Sequence, residues 1–186
     1  MDHRRIPNFL PEAYRSATVP GSPLAAVMAV MEELHASAED VLARADEFIE
    51  PYRAPDPFAV MLASWLDLDR YLDWTSGRKG VGEARYAAGL GNLRSLSTEA
   101  AQLMRWRGTR YALERFLGVA TGLNGFAVTE NPPDEQGRPR PFHIHIQAPA
   151  AASRIADLVR RIVEQERPAY VTYDIAFSSG AEKPSP

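Results

Sequence analysis

His143 and His145, two residues apart, are the side chains in this chain best spaced to do chemistry. On a strand such a pair points to one face and can offer two imidazoles to a single metal ion. A metal site needs a third ligand, and no Asp or Glu stands at an obvious partner spacing. The pair therefore reads as the polar face of a half-buried strand. The glycine pairs Gly80-Val81-Gly82 and Gly89-Leu90-Gly91 neither follow a predicted strand nor complete a dinucleotide or P-loop spacing. Glu32-Glu33 and Glu39-Asp40 read as the solvated side of a helix, with Arg44 as a helical partner. None of the serines sits in a Gly-x-Ser-x-Gly elbow. The run Arg105-Trp106-Arg107-Gly108-Thr109-Arg110 suits charge-assisted bonds to carboxylates at a helix corner better than phosphate contacts, because the chain is acidic overall. The sequence thus predicts no catalytic residue, no cofactor and no metal.

Composition sets wide bounds around these residues. The 186 residues carry a net charge of -3 and 45% hydrophobic residues, an ordinary globular balance without the basic footprint of a nucleic-acid binder. A chain of this length buries roughly 70% of its unfolded surface when compact, so it needs no staple. It has no cysteine, which excludes disulfides and thiolate sites and is consistent with a reducing compartment. The N-terminus lacks the apolar run of a signal peptide, and no stretch approaches the roughly 18 apolar residues of a membrane span.

The elements that must position these groups follow from period and punctuation. Prolines 7, 11, 20 and 23 with Gly21 predict an extended arm over 1–23, with at most one short turn. Ser22 and Pro23 open a helix in which Val27, Met31, Leu34, Ala38, Val41, Ala45 and Phe48 recur at alternating spacings of four and three. It is expected to run to Glu50, about 39 Å at 1.5 Å per residue, with its seam buried either within the chain or against another chain. A proline corner follows, with Asp56 as cap of a short helix whose apolar face is Phe58, Met61, Leu62 and Trp65. A polar loop over 75–82 leads to a second long helix over about 83–106, with Tyr86, Leu90, Leu93, Leu96, Ala100, Leu103 and Met104 inward. Gly108 breaks it, Thr109 caps a further helix, and Gly122 stops that one. Strands are expected over 124–130, 142–146 and 170–177, with an amphipathic helix over 151–166 between the last two. The fold class is therefore α+β: a helical arm over 24–106, a small α-β-β-α-β head over 107–177, and a disordered tail over 178–186.

Several stretches between these elements resemble the phage tail protein I family. Leu10-Pro11-Glu12-Ala13-Tyr14-Arg15 is similar to its opening, and Pro51, Ala54-Pro55, Phe58 and Leu62-Ala63-Ser64-Trp65-Leu66 to its next segment. Arg107-Gly108-Thr109 with Leu113-Glu114 resembles its helix junction. Thr121-Gly122, Glu130 and Arg167-Pro168-Ala169 with Tyr173 resemble its later landmarks. The chain departs at Met61, Asp67 and Tyr170, where that family commonly has tryptophan, glycine and histidine.

The resemblance implies a non-enzymatic baseplate wedge subunit of a contractile tail or phage-derived injection system. It implies a heterotrimeric wedge in which one copy joins two copies of a larger wedge subunit, six wedges ringing the spike hub. Shared helices would form a bundle and the small C-terminal domains a three-way junction. Val27, Met31, Leu34, Val41 and Phe48 are the expected interface, and Arg107, Gly108 and Thr109 the expected structural junction. Assembly would take place in the cytoplasm before the chain joins the particle, with no membrane insertion and no nucleic-acid partner. A metal-dependent enzyme using His143 and His145, or a helical adaptor unrelated to tails, are the rival readings.

Overall fold

The computed structural model describes residues 6–74 and 84–178, so the expected loop over 75–82 and all of the tail but Ser178 lie outside the described residues. The chain divides into two compact units, 1–48 and 49–186.

In the first unit the N-terminal segment is not extended. It forms a 3-10 turn, Ile6–Phe9, and a one-turn helix α1, Glu12–Arg15. Pro11 stands at the N-cap of α1, a position where its missing N–H costs nothing. Helix α2, Pro23–Leu42, starts as its sequence predicts: the Ser22 hydroxyl accepts the Ala25 N–H at 3.1 Å and Pro23 occupies the first position. It does not run unbroken to Glu50. After Leu42 the backbone tightens through i→i−3 bonds, Arg44 N–H to the Val41 carbonyl and Glu47 N–H to the Arg44 carbonyl, before helix α3, Ala45–Ile49. The Arg44 guanidinium donates at 3.3 Å to the Asp40 carbonyl and so draws on the helical ladder just where it tightens.

The second unit holds the hydrophobic core. Helix α4, Asp56–Trp65, is capped by Pro55 rather than Asp56. Asp56 instead receives Arg94 at 2.7 Å, and the same guanidinium donates to the carbonyls of Ala54 and Pro51, tying down the proline corner. The inward face of α4 is Ala59, Val60, Leu62 and Ala63, while Phe58 and Trp65 stay exposed, because small residues let this helix approach its neighbour closely. Asp67 has φ +58° where the resembled family commonly has glycine, and it holds the left-handed turn with an ion pair to Arg70 at 2.9 Å. A 3-10 turn, Asp69–Tyr71, then leads into β1, Asp73–Trp74, which pairs antiparallel with β2, Ala84–Arg85.

Helix α5 spans Leu90–Arg105 and begins later than its periodicity predicts, because Gly89 at φ +90° leaves helical space and Tyr86 anchors the preceding loop through its hydroxyl to the Ala120 carbonyl at 2.8 Å. Its buried stripe is Leu93, Leu96, Ser97, Ala100 and Leu103, with Met104 outside. Helix α6, Arg110–Thr121, ends at Gly122 in the left-handed conformation, as a glycine after a helix predicts.

Strands β3, Ala127–Glu130, β4, His143–Ala148, and β5, Thr172–Phe177, form one sheet in that order, β3–β4 antiparallel and β4–β5 parallel. The parallel pair is joined by a crossover of a 3-10 segment, Ala150–Ile155, and helix α7, Ala156–Glu166. The fold class is α+β. Leu93, Leu96, Phe116, Leu117, Ile146, Val159 and Ile162 belong to a single core, so the α5–α6 corner expected as a domain boundary at Arg107 lies inside one packed unit.

Candidate functional site

The residues expected at an interface lie along α2. Within this chain Val27 is 53% exposed, Met31 40%, Leu34 73% and Val41 49%, while Phe48 beyond α2 is half-buried. The stripe of α2 that is covered runs one position away, through half-buried Leu24, buried Met28, and half-buried Glu32 and Ala36. Residues four apart share a helix face, so the helix has one partly covered stripe and, beside it, an apolar stripe facing solvent. Val30 and Leu42 add to that exposed surface. Aligned large side chains on one helix exceed the scattered exposed apolars of an ordinary surface.

The second group, Arg107-Gly108-Thr109, turns α5 into α6. Gly108 has φ +82°, a conformation open to glycine at little cost. Thr109 is the N-cap of α6: its hydroxyl oxygen accepts the Ala112 N–H at 3.1 Å and its O–H donates to the Trp106 carbonyl at 2.7 Å. Arg107 reaches the far end of α7, donating to the Gln165 carbonyl at 2.6 Å and pairing through Nε with Glu166 Oε2 at 3.2 Å.

Sequence reasoning singled out Arg107 but missed its carboxylate. Glu166 is buried, and its Oε1 also accepts the Tyr71 hydroxyl at 2.5 Å and the Arg70 guanidinium at 2.9 Å. Burial, then the hydrogen bond to Glu166, push the Tyr71 phenol well above its ordinary value, so it stays a neutral donor. One carboxylate thus ties together the 3-10 turn after α4, the α5–α6 corner and the end of α7. A buried glutamate rarely lacks such partners, but they come from positions 70, 71 and 107, which no local spacing reveals.

The histidines also acquire a partner from a distance. In the β4–β5 register His145 lies opposite Asp174 and His143 opposite Thr172. His145 Nδ1 is 2.5 Å from Asp174 Oδ1, and His143 Nε2 is 3.4 Å from Oδ2. Thr172 Oγ1 lies 2.7 Å and Arg140 Nη2 3.3 Å from His143 Nδ1. His143 Nε2, buried and facing Asp174, makes an ion-pair-range contact without hydrogen-bonding geometry. Burial works to raise the Asp174 carboxyl, but the His145 hydrogen bond and the nearby His143 ring outweigh it and hold it below the usual carboxylate range. The arrangement is a carboxylate clamped between two imidazoles, and it pins the parallel strand pair. Among the described residues no group of three or more His, Asp and Glu is arranged to hold a metal ion.

Among the described residues no helix is long and apolar enough to cross a membrane. No curated protein matches the chain. The phage tail protein (Tail_P2_I) family matches residues 22–170, a span that takes in the α2 seam, the Arg107 corner and strands β3 and β4. The chain belongs to this family of phage tail proteins.

Proposed function

We propose that the chain is a structural wedge subunit in the baseplate of a contractile phage-tail-like injection system. One copy joins two copies of a larger wedge subunit in a heterotrimer, and six such wedges ring the spike hub. The chain assembles in the cytoplasm and then persists as part of the particle, without inserting into membrane. The observation that carries this reading is the apolar seam of α2, exposed along the helix in a chain of a tail-protein family. A solvent-facing seam at heptad spacing needs partner helices, and a bundle shared with a second protein supplies them.

The role is structural and not enzymatic. The polar groups with the most unusual surroundings serve to join elements: Glu166 holds Arg70, Tyr71 and Arg107, and Asp174 holds His143 and His145. The corner at Arg107, Gly108 and Thr109 sets how the helices of the second unit meet its sheet, the part that would form a three-way junction with the partner's small domains.

Co-expression with the larger wedge protein, followed by native mass spectrometry, tests the reading. A complex of one copy of this chain with two of the larger subunit is the expected result. Absence of any complex, or a complex of equal copies, would contradict it.

A further inference from the structure

The two outer edges of the three-stranded sheet differ. In the parallel ladder the Thr172 N–H bonds the Phe142 carbonyl at 2.9 Å and the Ser178 N–H bonds the Ala148 carbonyl at 2.8 Å. Backbone groups alternate sides along a strand, so Thr172, Asp174 and Ala176 face β4, while the N–H and C=O of Tyr173, Ile175 and Phe177 point away from the sheet. Among the described residues those outward groups have no hydrogen-bond partner. At the opposite edge the Asn131 N–H bonds the His143 carbonyl, which by the same alternation turns the Val128 and Glu130 backbones outward. There the outward Val128 N–H is taken by the Glu114 carboxylate at 2.8 Å. One edge is blocked by a side chain from α6. The other is six residues long, has no proline, lysine or bulge, and carries the half-buried row Tyr173, Ile175 and Phe177. Natural sheets seldom leave such an edge unguarded unless a strand is added to it.

We propose that β5 is completed in trans by an extended segment of the larger wedge subunit, which adds a fourth strand to the sheet. The segment has apolar side chains at alternate positions, alongside Tyr173, Ile175 and Phe177, and its backbone pairs with theirs. A second copy of this chain fits less well. A six-residue strand is about 20 Å long, and pairing two such edges covers far less than the ~800 Å² per partner of a stable interface. A partner already held at the α2 seam presents its strand at high local concentration and needs little further area. The inference therefore rests on the wedge reading.

Residue-resolved hydrogen–deuterium exchange of the isolated chain and of purified particles tests it. In the isolated chain the amides of Tyr173, Ile175 and Phe177 are expected to exchange quickly, and those of Asp174 and Ala176 slowly. In particles the first three are expected to slow by about tenfold or more. Unchanged exchange in particles that contain the chain would overturn the strand addition and leave the wedge reading standing, whereas particles that lack the chain would end both. Protection that appears in the isolated chain as its concentration rises would mean that a second copy occupies the edge, and would also overturn the proposal. As a second variant, Ile175→Pro removes the central outward donor and leaves the β4–β5 bonds in place, a position where an edge strand tolerates proline. It is expected to fold with a melting temperature lowered by the lost Ile175 packing, and to fail to enter particles; normal incorporation would contradict the proposal. If it does not fold, the exchange measurement decides alone.

Discussion

At Gly108 the backbone sits at φ +82°, and a Cβ placed there would meet only Pro168 Cγ at 3.8 Å, an ordinary contact. The penalty for a side chain is therefore conformational, about 1–3 kcal/mol for a β-branched residue forced into this region. Thr109→Ala removes one cap bond, about 1 kcal/mol. Gly108→Val is accordingly expected to lower the thermal midpoint and the yield of assembled wedge more than Thr109→Ala. Equal and near-normal yields from the two variants would show that the corner does not set the geometry. The buried phenols give a second prediction. Burial raises both Tyr71 and Tyr86 well above 10, with the Glu166 bond adding to the effect at Tyr71. The folded chain therefore keeps two protons that the unfolded chain releases as pH rises through about 10. A raised folded value contributes stability that is complete below the unfolded value and lost above it. Stability should then fall above pH 10 by about 1.4 kcal/mol per pH unit for each phenol. The chain has only two lysines, and among its seven tyrosines Tyr173 is also raised, by burial and then by Glu164, so it adds to the same slope. Denaturant midpoints at pH 9, 10 and 11 should show Tyr71→Phe reducing this slope by one phenol's share, about 1.4 kcal/mol per pH unit; an unchanged slope would mean that Tyr71 is not held neutral.

Helix α2 separates stability of the chain from assembly. Leu34 is 73% exposed, so Leu34→Asp should leave the thermal midpoint of the isolated chain nearly unchanged. In a wedge the same carboxylate would sit unpaired in an apolar seam at a cost of several kcal/mol, and co-purification with the larger subunit should be lost. Undiminished complex formation would count against the shared bundle. The elements differ in how much of them could be read beforehand. The Ser22 and Thr109 caps and the Gly122 stop are set by neighbours one turn away, and their side-chain chemistry is local. The start of α5, the inward face of α4 and the tightening after Leu42 are set by packing and by competing hydrogen bonds, which periodicity does not encode. The partners of Arg107 and of His145 lie 59 and 29 positions away, and only the crossover through α7 brings them together. The seam was legible as a seam; whether it faced inward or outward depended on the neighbouring stripe through Met28, which is where the coverage falls.

At the scale of the molecule, the core draws every member from the second unit. A fragment spanning 49–186 is therefore expected to fold cooperatively on its own. Residues 1–48 alone bury only Met28 in α2, and an isolated 20-residue helix is marginal in water, so that fragment should show weak, non-cooperative helicity by circular dichroism. A sharp transition in the shorter fragment would mean that α2 is stabilised without a partner. The central claim is that the partner of α2 is another protein of the tail. Because the chain has no cysteine, Leu34→Cys introduces a single thiol at the most exposed point of the seam, and its reaction with a maleimide reports directly on coverage. The isolated chain should label rapidly and completely, and assembled particles that contain it should be strongly protected. Labelling in particles at the rate of the isolated chain would contradict the claim.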